Sequence, residues 1–267
     1  MNSKYLGLLA KLGKGTFHPG GPAFTHKVLA YNPPRPGSRV LDAGCGYGET
    51  SFYLASQYHC TVTGIDIQPA MIKEARKFAF QKESSGSTEF MVADITRLPF
   101  VQSYDMAIVE SVLCFVSVER ALHQLRRSLC PGGKIIMIEI VLRKELPASL
   151  WEKLQAFYGF HSLYTPGEMV KKMEEAGFTS VSHTTVNPFY ASPVPPPFLG
   201  NTNMTIRQWL QMVKNNHVLQ KCAPYIGYTS FHAVRPMDYY SNYPMYGYGM
   251  YPSPLYNGQP SFITKGI

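Results

Sequence analysis

The residues best placed to do chemistry in this chain are an acid and three glycines: Asp42, Gly44, Gly46 and Gly48 in the run VLDAGCGYGET, residues 40–50. Val40 and Leu41 end an apolar stretch that reads as a buried strand, and a helix is expected to begin near Glu49. A glycine-rich strand-to-helix turn bares its backbone to a ligand, and the N–H groups opening the helix favour negative groups. The spacing is G-x-G-x-G, which differs from the G-x-G-x-x-G of dinucleotide sites. An acid immediately before the turn repels a pyrophosphate and can pair with an ammonium. The ligand expected here has an amino group and no phosphate.

Two more acids follow at the ends of candidate strands. Thr61 to Ile65 form a β-branched run closed by Asp66, 18 positions past Gly48 (66 − 48). That is close to the roughly 20 residues at which a Rossmann-type fold sets its ribose-binding carboxylate. A carboxylate accepts two hydrogen bonds, as a vicinal diol requires. Phe90 to Ala93 make a third strand closed by Asp94. Acids at the C-terminal ends of successive strands face the crevice where open α/β sheets bind ligands. An ammonium, a carboxylate and a ribose without phosphate describe S-adenosylmethionine better than NAD.

The stretch VLDAGCGYG resembles motif I of the class I S-adenosylmethionine-dependent methyltransferases, small-molecule type. The order of later elements strengthens the resemblance, as does the L-x-P-G-G-x signature at Leu129 to Lys134. It implies a cofactor site built from Asp42, Gly44, Cys45, Gly46, Asp66, Ile67, Met71, Ala93, Asp94, Ile95 and Glu110. Asp94 matches the family's contact to the adenine amino group, with Ile95 beside it. His18, in Phe17-His18-Pro19-Gly20-Gly21, falls where N-terminal segments of relatives close over the methionine end of the cofactor. Tyr158 and His161 fall in the region that caps the acceptor in many small-molecule members.

Methyl transfer from a sulfonium is an in-line displacement that depends on positioning and charge more than on acid–base power. No universal base is expected, and the sequence names none. Glu110 ends the fourth strand, so it is the candidate catalytic residue. It orders the cofactor, or it binds an acceptor amine or hydroxyl and takes its proton. Cys114 reads as a buried apolar thiol.

Composition limits the alternatives. Five cysteines form no C-x-x-C pair and no metal-ligand spacing, so reduced thiols, no metal and a cytoplasmic setting are expected. No apolar run approaches the roughly 18 residues of a spanning helix. The net charge is +8, but groups such as Lys73–Arg76–Lys77 and Arg126–Arg127 read as solvated helix faces. Nucleic acid is not indicated as a partner.

The expected fold is α/β: a Rossmann-like, seven-stranded, mostly parallel sheet with an antiparallel last strand and helices on both faces. Residues 1–37 form an N-terminal segment closing over the cofactor. Residues 38–235 form the methyltransferase domain, with 142–203 as the acceptor cap. Helix periodicity places Val118, Ala121, Leu122, Leu125 and Leu129 on one face. Thr165, Pro166 and Glu168 predict a capped helix. Near residue 206 a further helix is expected to carry Ile206, Trp209, Leu210 and Val213 on one face. Cys130-Pro131-Gly132-Gly133 is expected to turn into a fifth strand from Lys134 to Val141. Thr179 to Val186 alternate as a sixth, and Tyr225 to Val234 give the last. Residues 236–267 form a Tyr/Gly/Pro-rich low-complexity tail, expected to be disordered and suited to self-association. The resulting expectation is methyl transfer to a small-molecule acceptor. Its rivals are an RNA or protein methyltransferase, given the basic pI of about 9.1, and an assembly or coat-associated protein that retains a cofactor-binding fold.

Overall fold

A computed structural model describes residues 18–80, 86–189 and 205–238. The Tyr-rich tail beyond Tyr239, the residues before His18 and the proline-rich stretch 190–204 lie outside the described residues. The elements run α1 (Gly21–Tyr31), β1 (Arg39–Ala43), α2 (Glu49–Tyr58), β2 (Thr61–Asp66), α3 (Pro69–Phe80), β3 (Ser87–Val92) and β4 (Tyr104–Glu110). A short 3-10 turn, Leu113–Phe115, leads to α4 (Val118–Ser128), β5 (Leu129–Leu142), α5 (Ala148–Tyr158), α6 (Pro166–Glu175), β6 (Thr179–His183), β7 (Asn187–Pro188), α7 (Ile206–Cys222) and β8 (Ile226–Val234).

The sheet order is β3-β2-β1-β4-β5-β8-β6, with the two-residue β7 paired to β8. Strands β1 to β5 pair in parallel and β8 runs antiparallel between β5 and β6. The expected seven-stranded sheet is present, with β7 as a short addition. The order reverses between β1 and β4, and that reversal opens a crevice at the strands' C-terminal ends.

Alternation along the central strands explains why they read as continuous apolar runs. Val40, Met106, Ile108, Ile136 and Ile138 point to one face, where Val28 and Leu29 of α1 and Leu54 and Ala55 of α2 cover them. Leu41, Ala107, Val109, Ile135 and Met137 point to the other, against Ala121, Leu122 and Leu125 of α4 and Met169 and Met173 of α6. Strands buried on both faces lose the polar half of the β pattern. Leu122 and Leu125 are both 0 % exposed, so truncating either to alanine costs about 2–5 kcal/mol. Helix α6 carries the expected capping box: Thr165 accepts from the Glu168 N–H, and Glu168 accepts from the Thr165 N–H at 2.7 Å.

Four expectations need correction. Cys130–Gly133 does not turn into the fifth strand; β5 already runs from Leu129. The register shifts between Tyr104↔Leu129 and Met106↔Lys134, so the extra residues form a bulge. Arg235 secures it, its N–H donating to Gly133 O and its guanidinium to Leu129 O. The third strand ends at Val92, which leaves Asp94 in the following loop. The sixth strand breaks after His183 and resumes as β7, with the pairing to β8 moving from His183↔Phe231 to Asn187↔Tyr228. On α7, Ile206, Leu210 and Val213 are exposed, and the helix instead buries Asn215 and Cys222; the Trp209 side chain lies outside the described residues. Among the described residues no helix is long and apolar enough to cross a membrane.

Candidate functional site

At the C-terminal ends of β1, β2 and β4 the backbone of the glycine turn meets the carboxyl groups of Asp42, Asp66 and Glu110. The turn is held from β2: Gly44 N–H and Cys45 N–H both donate to Ile65 O, at 2.7 and 2.8 Å. Its glycines have different duties. Gly44 has φ 88°, and a Cβ there falls 2.1 Å from Val112 Cγ2, so this glycine makes room for a side chain of the protein itself. Gly46 has φ 52° and nothing within 4 Å on its Cβ side. That open flank is where a ligand can lie against bare backbone.

Asp66 bridges two segments. Its Oδ2 accepts from Gly46 N–H at 3.1 Å and its Oδ1 from Gln68 N–H at 2.8 Å. Each oxygen keeps a further lone pair for a diol. Burial raises its pKa, and the two backbone donors oppose the shift. Asp94 accepts from the Thr96 N–H and hydroxyl, both at 2.8 Å, which fixes the loop after β3. Ile95 is buried in the main core, with Ala93 packed against it. Ile67 is half-buried just after Asp66, and Met71 is buried at the start of α3 beside the cap cluster.

Asp42 does not stand free at the strand's end. It is 2 % exposed within β1 and accepts from Ser51 Oγ at 2.5 Å. Burial first, then the charge of Glu110, pushes its pKa up to about 7. Cys45 is buried, and burial raises its thiol well above the usual range. It contributes packing with Ile72, Ala75 and Phe90.

Glu110 collects donors from three elements. Thr25 of α1 donates its hydroxyl to Oε1, Thr50 of α2 donates to Oε2 at 2.6 Å, and His18 Nε2 lies 3.5 Å from Oε1. The His18 and Glu110 side chains are 7 % and 8 % exposed. The N-terminal His-Pro-Gly-Gly turn is thus fixed to the end of β4. On the cap side, Tyr158 is 4 % exposed and its ring lies 5.5 Å from Phe160. His161 is exposed, and its N–H donates to Cys114 O at 2.6 Å. The structure therefore brings His18 to Glu110 and places Tyr158 and His161 apart, one in an aromatic cluster and one at the surface.

Sequence reasoning missed Thr25, Ser51 and Glu139. Glu139 is 1 % exposed on β5, and burial pushes it up to about 8. Its signal was an acid inside the apolar run IIMIEIVL. Among the described residues, no lysine or arginine is ion-paired with Asp42, Asp66, Glu110 or Glu139, and no group of three His, Cys, Asp or Glu can hold a metal. Asp66 and Glu110, without a paired lysine or arginine among the described residues, favour a cationic ligand and oppose a pyrophosphate.

Residues 34–215 match a methyltransferase domain family. The chain is 36 % identical over 177 residues to the uncharacterized methyltransferase YodH of Bacillus subtilis, covering 66 % of this chain and 75 % of that one. It is 31 % identical over 173 residues to phosphoethanolamine N-methyltransferase 1 of Arabidopsis thaliana, covering 63 % of this chain and 34 % of the plant protein. The fold superposes on the S-adenosylmethionine complex of Haemonchus contortus phosphoethanolamine N-methyltransferase 2 with a TM-score of 0.70 at 17 % identity, covering 87 % of this chain and 57 % of that one. The chain thus spans about a third of the plant relative and just over half of the nematode enzyme.

Proposed function

The chain belongs to the methyltransferase domain family and is an S-adenosylmethionine-dependent methyltransferase, and we propose that it methylates a small-molecule acceptor in the crevice between β1 and β4. The observation that carries the reading is the carboxyl cluster at the switch point, to which no lysine or arginine is paired among the described residues, beside the open flank of Gly46. The cofactor supplies a methyl group on a cationic sulfur, which departs as a neutral thioether. Asp66 accepts the ribose hydroxyls, while Gly46 lets the backbone approach. Asp94, Ile95 and Ala93 receive the adenine, with Ile67 and Met71 on its flank. Asp42 and Glu110 face the positive end.

Thr25 and Thr50 occupy one lone pair on each Glu110 oxygen, which orients the carboxylate and leaves one further acceptor position on each. We assign Glu110 to holding negative charge near the sulfonium end and to orienting what binds there. His18 closes the same end from the N-terminal side. The acceptor lies toward the cluster formed by α5, Cys222 of α7 and the Phe115–Phe160 contact, whose rings are 5.2 Å apart. Aromatic walls exclude water and hold the acceptor for in-line attack.

Two further features support a small acceptor. Both named relatives that carry a substrate in their names take phosphoethanolamine. Among the surface bases, Lys172 is ion-paired with Glu119 and Arg39 with Asp105. Incubation with methyl-labelled cofactor and a cell extract tests the proposal. Label is expected in the low-molecular-weight fraction, and label appearing in RNA or protein instead would refute the small-molecule acceptor.

A further inference from the structure

Glu139 touches none of the groups assigned above to the cofactor, yet it is tied to the turn that shapes their crevice. Its Oε1 accepts from the N–H groups of both Val112 and Leu113, each at 3.2 Å. Those amides follow Ser111, which takes a left-handed φ of 55° at the end of β4 and donates its own N–H to Ile138 O at 2.8 Å. The turn is sharp, and Glu139 supplies the acceptor that its next two donors need. Val112, thus fixed, projects over the glycine turn into the space where Gly44 lacks a side chain. The chain of contact runs from Glu139 through Val112 to Gly44.

We propose that Glu139 is a positioning residue for the cofactor site: by holding the Val112 and Leu113 amides it fixes Val112 against Gly44 and sets the width of the crevice between the glycine turn and β4. Its Oε2 is buried with no hydrogen-bond partner. A lone buried oxygen suits a neutral carboxyl better than a charged one. The upward shift of its pKa by burial agrees with that state. The groups facing it are Glu110 from β4 and Cys114 from the 3-10 turn, neither of them cationic. A neutral carboxyl presents one carbonyl oxygen to two amides, and a carboxamide does the same.

The test rests on the reading of this crevice as the cofactor site and uses S-adenosylmethionine itself as the probe. Binding is measured by calorimetry on the full chain, well below its melting temperature. Glu139→Gln should bind within about twofold of wild type, because the acceptor survives, whereas Glu139→Leu should bind about tenfold more weakly, because two buried amides lose theirs. Val112→Ala should weaken binding several-fold on its own. The double variant Val112→Ala/Glu139→Leu should be no weaker than Glu139→Leu, since residues acting through one contact do not add.

Wild-type affinity in Glu139→Leu, or multiplied effects in the double variant, would overturn the proposal. If Glu139→Leu does not fold, the other two variants decide. Unchanged affinity in Val112→Ala, or a tenfold loss in Glu139→Gln, overturns it, and the opposite pair supports it. Failure of the wild-type protein to bind the cofactor sinks the site assignment instead, so the two failures are distinguishable.

Discussion

Thr50 and Glu110, 60 positions apart in the chain, are joined by a 2.6 Å hydrogen bond from the threonine hydroxyl to Oε2 of the glutamate. The bond ties the first turn of α2 to the end of β4 across the switch point. With Thr25 on the other oxygen, it leaves the carboxylate oriented before any ligand arrives. Preorganised charge acts without reorganisation during reaction, which is where much enzymatic stabilisation originates.

Thr50→Val removes one of those donors while keeping the side-chain shape. Hydrogen bonds to charged groups contribute about 1.5–3 kcal/mol. Turnover on any acceptor found by the labelling experiment should fall roughly tenfold or more for that loss, and the melting temperature should fall as well, because the same bond contributes to folding stability. A variant with full turnover would show that Glu110 needs no orientation from α2.

The two glycines of the turn should separate cleanly. Gly44→Ala places a Cβ against Val112 and should lower the melting temperature, because the clash is with the protein's own side chain, and should weaken cofactor binding only through the displaced Val112. Gly46→Ala meets no atom within 4 Å and costs only the left-handed strain of about 1–2 kcal/mol. It should lose cofactor affinity more than stability. Equal effects of the two on melting and on calorimetric affinity would contradict the division of labour.

Stability should fall as pH rises through neutrality. Asp42 and Glu139 are raised by burial to about 7 and about 8, above their values in the unfolded chain. The native state therefore holds protons that the unfolded state has released. The stabilisation is complete below the unfolded values and is lost as pH climbs through the folded ones. Melting temperatures from pH 5 to 9 should decline over that window, and Asp42→Asn should flatten part of the decline. A melting temperature that rises steadily over the same range would contradict the assignment.

Charge complementarity makes a related prediction. A cation beside Asp42 favours its ionised form, so binding S-adenosylmethionine near pH 7 should release protons. S-adenosylhomocysteine, which lacks the sulfonium charge, should release fewer. Titrations in buffers of different ionisation enthalpy measure the difference, and equal release by both ligands would argue against a carboxyl facing the sulfonium.

Much of this was legible in the chain. The strand-turn-helix at Arg39–Tyr58 was legible because turn glycines and strand-end acids such as Asp42 and Asp66 are local signals. Helix α4 was legible because Val118, Ala121, Leu122 and Leu125 repeat at helical spacing and all face the core. The bulge at Cys130–Gly133 was not, since Pro-Gly-Gly suits a turn as well as an irregular strand. The donors to Glu110 were hidden for a different reason: Thr25 lies 85 positions away, and no local pattern reports such a contact. Glu139 sat in plain view as a single acid in an apolar strand, but only the fold reveals the amides it faces. The low-complexity tail remains a proposal of composition: residues suited to self-association, best tested by truncation after Arg235 and measurement of oligomeric state.

The account turns on whether the crevice beside Gly46 and Asp66 is where the cofactor binds. Titration calorimetry of S-adenosylmethionine into the wild-type protein and into Asp66→Ala tests this most directly. Two charge-assisted bonds from the ribose would be lost, so affinity should fall by about tenfold or more while the fold persists. Undiminished affinity in a folded Asp66→Ala protein would contradict the account.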